Sequence, residues 1–434
     1  MMNCPLYEFY IHSPKEIVIK EKERELSAED MEQFVEGMAL TLLNLNMKAK
    51  DRIAIKASLH VKTIVFMLAC LRLGVEVCLL NPRFDNHCLK KWGARFVDLE
   101  SLTLEKGVCS LYQCDENQIA FLLETSGSTG NSKIAALSLN NFKQNASYVN
   151  LALNFQCRDS WALNLPLNHV GGLSIIFRCL LGFGKIFLGP QEESSTFVSV
   201  VPTHVYRHFY KEAVLKADHF LIGGAPLPHS LYEMLKKQSH SFFYSYGMTE
   251  MASLVSLDRS LSHCCGQVLP KRELRINQNQ EILVKGDCLF LGYWTPEEGL
   301  KKSTDHDGWF HTGDLGLFDD KGNLYVKGRK DNLFICGGEN IQPEEIEQIV
   351  HQIFRVEEAV VVPLEDVEFG FKPAICLSEY IPLSLIQEKL LEFLPKYKIP
   401  VSLYLIDSFH LKRQRNALKK TIHESPQTFP HFVK

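Results

Sequence analysis

No two of the thirteen cysteines stand in Cys-x-x-Cys spacing, and their number is odd. A zinc site needs paired ligands at fixed intervals, so that chemistry is excluded here. Several cysteines lie inside apolar runs, as Cys70 does in FMLACLRLG. These are expected to be buried thiols in a reducing compartment. There is no excess of positive charge: the net charge is −4, which leaves no basic field for nucleic acid. There is no long hydrophobic run either. The most apolar stretch, 63–80, is interrupted by Arg72 and Glu76, so no membrane insertion is expected. The opening MMNCPLYEFYIHSPKE is polar and acidic too early for a signal peptide, and the expected location is cytoplasmic. Internal repeats, low-complexity tracts and a Gly-x4-Gly-Lys-Ser/Thr phosphate loop are also missing, and the last of these excludes a P-loop phosphotransferase.

What remains is a chain of 434 residues, 46% hydrophobic and 23% charged. That is the balance of a globular protein of two or three domains. Residues 52–56 read as a strand, 60–73 as a helix and 75–80 as a buried strand, a unit that implies a parallel sheet. The pattern recurs at 119–123, with a glycine loop and then a helix from about Leu139. Strands are expected again at 220–223 and 242–246, around a helix near 231–237. After about residue 265 short strands dominate (281–286, 315–318, 324–326), with turns such as Asp320-Lys321-Gly322-Asn323. From Gly337 a small α+β pattern follows. Its helices are expected at 343–352 and 385–394, and its strands at 360–363, 374–377 and 403–406.

Three segments carry chemistry. Thr125-Ser126-Gly127-Ser128-Thr129-Gly130-Asn131-Ser132-Lys133 follows a strand. Its glycines let backbone N–H groups turn inward, and hydroxyls and an ammonium add donors suited to a polyphosphate. Tyr244-Ser245-Tyr246-Gly247-Met248-Thr249-Glu250 offers an aromatic ring for a base, a hydroxyl for a phosphate and a carboxylate for Mg²⁺. In Gly308-Trp309-Phe310-His311-Thr312-Gly313-Asp314 and Gly328-Arg329-Lys330-Asp331, an aspartate can accept from ribose hydroxyls and an arginine can pair with phosphate. Taken singly, each also reads as a turn: a surface loop, a strand end and two β-turns.

In this order, together with GGAPLP at 223–228, they resemble the acyl-adenylate-forming superfamily of acyl-CoA synthetases, luciferases and peptide-synthetase adenylation domains over nearly the whole chain. The segments 166–173 (PLNHVGGL), 331–347 (DNLFICGGENIQPEEIE) and 362–370 (VPLEDVEFG) are similar to the 2-succinylbenzoate–CoA ligases of menaquinone synthesis. The resemblance implies an α/β fold: a large N-terminal domain, 1–330, of stacked mixed sheets with flanking helices and a β-rich subdomain, and a small mobile α+β domain, 331–434. It implies adenylation of a carboxylic acid by ATP with Mg²⁺, then transfer of the acyl group to coenzyme A.

By the same resemblance, Thr125, Ser126, Gly127, Ser128, Thr129, Gly130 and Lys133 take the β- and γ-phosphates. Thr249 and Glu250 take the α-phosphate and Mg²⁺. Gly224, Ala225, Pro226, Tyr246, Gly247 and Met248 surround adenine, Asp314 takes ribose, and Arg329 takes ribose or phosphate. Asp331 is the hinge, and Gly337 and Gly338 line the thioester tunnel after rotation. His169 lines the acid pocket, where a structural histidine is the plain alternative. Lys412, matched by Lys-x-x-Arg spacing in HLKRQRNALK, bridges carboxylate and α-phosphate, against the alternative of a basic solvated tail. Two departures stand out. Lys133 precedes Ile134 where Lys-Gly is usual, and Leu411 stands where glycine usually precedes the catalytic lysine. The acid pocket is expected from segments 165–178, 201–208 and 223–250, with His169, Arg178, Thr203, His204, Arg207 and His208 as its polar set. That set favours a dianionic aromatic acid. Another acyl- or aryl-CoA ligase, or a non-catalytic nucleotide- or acyl-binding relative, are the rival readings. The sequence speaks neither for nor against a homo-oligomer.

Overall fold

The computed structural model of the chain describes residues 4–83, 86–109, 114–125, 132–189, 193–210, 216–227, 229–238, 240–356 and 358–406, then Arg415, Leu418, Lys419, Ile422 and Phe432–Val433. The protein is a mixed α/β structure, with a large N-terminal part and a small C-terminal one.

Two large sheets form the N-terminal part. The first has nine strands among the described residues. Its middle, from Ser160–Leu163 through Ser195–Val200 and Ala217–Ile222 to Ser241–Met248, is parallel. The second has seven strands and includes Arg52–Lys56, Glu76–Leu80, Ile119–Thr125, Lys133–Ser138 and Gly292–Thr295. The expected strand–helix–strand unit at 52–80 is present. Its helix Val61–Leu73 is capped by the His60 side chain, which accepts from Lys62 N, and it stops at Gly74 in the left-handed region. The charges that interrupt 63–80 are paired inside: Arg72 with Glu32, and Glu76 with Arg52 at 2.7 Å.

Helices fill the space between the sheets. Val170–Leu181 is buried on all sides from Gly172 to Leu180, as a doubly covered helix must be, and is apolar apart from Ser174 and Arg178. Its Phe177 stacks on Phe142 of the helix Leu139–Leu153 (centroids 4.8 Å), and both meet Phe121 of the seven-stranded sheet edge-on. The next residue, Arg178, lies 5.1 Å from the Trp161 ring of the nine-stranded sheet. Adjacent positions on one helix therefore touch opposite sheets. Truncating one of these rings to alanine costs about 3–5 kcal/mol.

A four-stranded antiparallel sheet (Arg272–Ile276, Glu281–Gly286, Phe310–Phe318, Leu324–Arg329) follows. The C-terminal part has its own apolar cluster, drawn from Phe334 to Leu403. It is built on Ala359–Asp366, Gly370–Leu377 and Ser402–Leu405 and on the helices Pro343–Phe354 and Leu383–Leu390. The second helix ends before Pro395, four residues short of the expected limit, in a turn. No helix of the described residues is long and apolar enough to cross a membrane.

The helix expected from about Leu139 is present as Leu139–Leu153. Before it comes a strand that the sequence pattern did not announce, Lys133–Ser138, paired antiparallel with Ile119–Thr125 so that Thr125 faces Lys133 and Ile119 faces Ser138. Within this strand Ile134–Leu137 is apolar and buried, while Lys133 at its start is exposed. The helix begins only after the strand, at a capping box in which Ser138 accepts from Asn141 N and Asn141 accepts from Ser138 N.

Candidate active site

One cavity of about 1100 Å³ lies between the two large sheets' loop ends and the four-stranded sheet. Thr125, Lys133, His169, Gly224, Gly247, Met248, Thr249, Glu250, Asp314, Arg329 and Asp331 all line it. Segments far apart in the chain therefore share one wall. Ser126, Gly127, Ser128, Thr129, Gly130 and Lys412 lie outside the described residues.

Tyr244 to Met248 are within the strand Ser241–Met248; they do not follow it. Only Thr249 and Glu250 enter a 3₁₀ turn. The register slips between Tyr246 and Gly247 against the antiparallel neighbour Ser253–Asp258. A Cβ at 247 would meet Ser253 O at 2.3 Å, so only glycine allows this close approach. Tyr244 turns inward. Its hydroxyl donates to Ala225 O and accepts from Leu227 N, each at 3.3 Å, and so fixes the turn that holds Gly224 and Pro226.

Asp314 and Arg329 are not in β-turns. They face each other across paired strands. Asp314 accepts from Tyr246 Oη at 2.6 Å and from Arg329 Nη1 at 3.0 Å. Burial raises the Asp314 carboxyl above the usual range, against the pull of those two donors. Arg329 also donates to Thr312 O at 2.7 Å and reaches Asp331 at 3.3 Å. Beside the latter, Lys330 pairs with Glu281 at 3.2 Å. Gln342 donates to Arg329 O at 3.2 Å, and Asn332 to Glu344 at 2.5 Å. The C-terminal part is thus joined to the segment 329–332 by polar contacts. Gly337 and Gly338 form the turn between Phe334–Cys336 and Glu339–Ile341, with φ of 58° and 89°. Successive positive φ values select glycine. In this structure that turn does not line the cavity.

At the other end stand His169 and Arg178. His169 precedes the first turn of the Val170–Leu181 helix without capping it. The protein packed around the ring holds its imidazole below the usual value, although Glu124 opposes this and the side chain keeps contact with solvent along the cavity. Arg178 is only 1% exposed. It donates to Ser253 Oγ at 3.0 Å, and its Nε has no hydrogen-bond partner. No carboxylate among the described residues pairs with it, and burial lowers its guanidinium to about 9. By contrast Arg272, 6% exposed, donates to three backbone carbonyls. Of the expected polar set, His204 also lines the cavity; Thr203, Arg207 and His208 do not.

Sequence reasoning missed Tyr293, whose hydroxyl donates to Glu250 Oε1 at 2.6 Å. Its only local signal is Gly-Tyr-Trp in a β-rich stretch. The pairing that brings it here, Tyr293 opposite Ala135, is remote in sequence.

The cavity has room for a nucleotide and an acid together, with a carboxylate–arginine pair on one side and a buried arginine on another. The chain belongs to the AMP-binding, acyl-adenylate-forming enzyme family. Residues 91–294 match the family described as AMP-binding enzyme. Among curated relatives, the 2-succinylbenzoate–CoA ligase of Haemophilus influenzae is 33% identical over 379 residues, 82% of this chain and 83% of the relative. That of Oceanobacillus iheyensis is 31% identical over 444 residues, 89% and 91% of the two chains. The solved structure of o-succinylbenzoate CoA synthetase from Bacillus subtilis with its acyl-adenylate intermediate superposes with a TM-score of 0.86 at 26% identity, covering 96% of this chain and 98% of that one. The same enzyme with ATP and magnesium gives 0.85, also at 26% identity, covering 96% and 99%.

Proposed function

We propose that the protein is an AMP-forming 2-succinylbenzoate–CoA ligase of menaquinone synthesis. A carboxylate oxygen of the acid attacks the α-phosphorus of ATP and pyrophosphate leaves. The sulfur of coenzyme A then attacks the acyl carbon, and AMP leaves with the bonding pair. Charge grows on phosphoryl oxygens, so catalysis needs cations and donors more than a base. Lys133 and the 126–130 loop receive the outer phosphates. Thr249 donates to the α-phosphate. Tyr246 and the 224–226 turn hold adenine. Each oxygen of Asp314 already accepts one bond and keeps a lone pair for a ribose hydroxyl. Lys412 joins the acid carboxylate to the α-phosphate.

Among the described residues no three His, Cys, Asp or Glu side chains cluster as a metal cage. A single glutamate facing the phosphate end suits Mg²⁺, which takes one or two carboxylates and completes its shell with phosphate oxygens and water. Glu250 would hold it, and the ion would neutralise charge developing on the phosphates.

The observation that carries the substrate reading is Arg178. A buried cation with no acidic partner is costly unless an anion arrives. The arm of 2-succinylbenzoate that is activated must reach the α-phosphate, so its aromatic carboxylate lies at the far end. Arg178 there supplies the charge that this carboxylate requires. The second half-reaction follows rotation of residues 331–434 against 1–330 about Asp331, which withdraws Lys412 and brings in Gly337 and Gly338. The buried, unpaired thiols (burial pushes Cys70 and Cys179 well up) fit a cytoplasmic enzyme. The test is thioester formation across an acid panel. We expect kcat/KM for 2-succinylbenzoate far above that for benzoate, coumarate or octanoate. A monoacid that equals it overturns the substrate reading and leaves an acid–CoA ligase.

A further inference from the structure

We infer that Tyr293 is the positioning residue for both cationic elements at the phosphate end: the metal held by Glu250, and Lys133. The inference rests on the reading of Glu250 as the Mg²⁺ carboxylate.

Tyr293 is on the strand Gly292–Thr295, which pairs antiparallel with Lys133–Ser138 so that Tyr293 faces Ala135. Lys133 and Ala135 share one face of their strand, which makes Lys133 the diagonal neighbour of Tyr293. Lys133 Nζ lies 4.8 Å from the Tyr293 ring centroid, a cation over an aromatic face. The hydroxyl of the same side chain donates to Glu250 Oε1 at 2.6 Å. All three side chains line the cavity.

The ring itself cannot swing away. Phe290 and Phe310 pack against it, with centroids at 4.9 and 6.4 Å. Phe290 N donates to Glu250 O at 2.8 Å, so the backbone of Glu250 is tied to the same segment. Tyr293 thus fixes one carboxylate oxygen by a charge-assisted bond and leaves the other for a ligand. It also sets Lys133 at a defined place beside it. A partner that orients a metal-binding carboxylate in this way governs affinity without touching the metal.

The test separates hydroxyl from ring. Tyr293→Phe keeps the ring face and loses only the donor. We expect it to raise the half-saturating Mg²⁺ concentration for adenylate formation about 10- to 100-fold. Binding of ATP without metal, measured by calorimetry, should be unchanged, while the gain in ATP affinity on adding Mg²⁺ should shrink. Thioester formation from pre-made acyl-adenylate should stay near wild type. Mn²⁺ bound with ATP, read by electron paramagnetic resonance, gives a signal independent of turnover and should weaken in the variant. Tyr293→Leu should add a loss of metal-free ATP affinity, because Lys133 also loses its platform. Glu250→Gln is the reference. If Glu250→Gln abolishes the metal dependence and Tyr293→Phe leaves it unchanged while lowering Tm, Tyr293 only packs and the inference is overturned. If Glu250→Gln leaves the metal dependence intact, the reading of Glu250 fails, and the inference fails with it.

Discussion

The two ends of the cavity treat charge in opposite ways. At the nucleotide end the charged groups already have protein partners: Asp314 has Tyr246 and Arg329, Glu250 has Tyr293, and Lys133 lies over an aromatic face. At the acid end Arg178 is fully buried, with a serine hydroxyl and an indole but, among the described residues, no carboxylate. A group that is satisfied before the ligand comes is preorganised, and it gains by orientation. A buried cation left without its anion marks the place where the ligand's own charge belongs. On the proposed function, the difference assigns the two halves of the cavity to two substrates.

The largest effect should come from Lys412, the residue proposed to join acid and α-phosphate. Lys412→Ala should slow adenylate formation by about 10²–10³-fold, the scale of losing one preorganised donor to a transition-state oxygen. It should spare thioester formation from pre-made adenylate. Equal losses in both half-reactions, measured by pyrophosphate exchange and by single-turnover thiol transfer, would remove Lys412 from this role.

Arg178→Gln should break the acid end alone. Leaving a buried carboxylate unpaired costs about 2 kcal/mol or more, so kcat/KM for 2-succinylbenzoate should fall at least that far, while KM for ATP holds. The free protein should be as stable as wild type or more so, because an unpaired buried cation has gone. A marked drop in Tm with equal losses for monoacids would make Arg178 a packing residue.

Tyr246→Phe should break the nucleotide end, by a smaller amount. One charge-assisted hydrogen bond to Asp314 is lost, worth about 1.5–3 kcal/mol at most, so KM for ATP should rise with the acid's KM unchanged. If both constants move together, the two ends are not independent.

The smallest effect is on pH. The pKa of His169 is lower folded than unfolded. The unfolded chain therefore binds more protons in the interval below about 6.5, and that contribution to stability falls as pH drops through it. His169→Asn should lose slightly less stability than wild type as pH falls below about 6.5, read from urea midpoints. A steeper loss in the variant would reverse the sign of the shift.

Much of this was legible without coordinates. Local periodicity and caps placed the 52–80 unit, the helix at Pro343 and three strands of the small C-terminal part, because each is set by neighbours in sequence. The ordered motifs named many of the residues that line one cavity, although Ala225, Pro226, Tyr246, Gly337 and Gly338 do not line it. The strand at 133–138 was not legible: the four-residue apolar run Ile134–Leu137 has no period of its own, and its partners are other strands. The strand expected at 242–246 runs on to Met248, and the β-turn alternative at 312–314 fails, because pairing across strands decides extension there.

By itself the sequence determined which chemical groups exist and in what order: hydroxyls and glycines at 125–133, a carboxylate at 250, another at 314, an arginine at 178. It determined the local elements too, because caps and helical spacing act over a few residues. Only the tertiary structure decided which of those groups are satisfied. Whether Arg178 has an anion, whether Glu250 has a donor, and that the donor is Tyr293, depend on strands and helices brought together from distant parts of the chain. Desolvation and hydrogen-bond partners belong to that packed arrangement, and no stretch of sequence carries them alone.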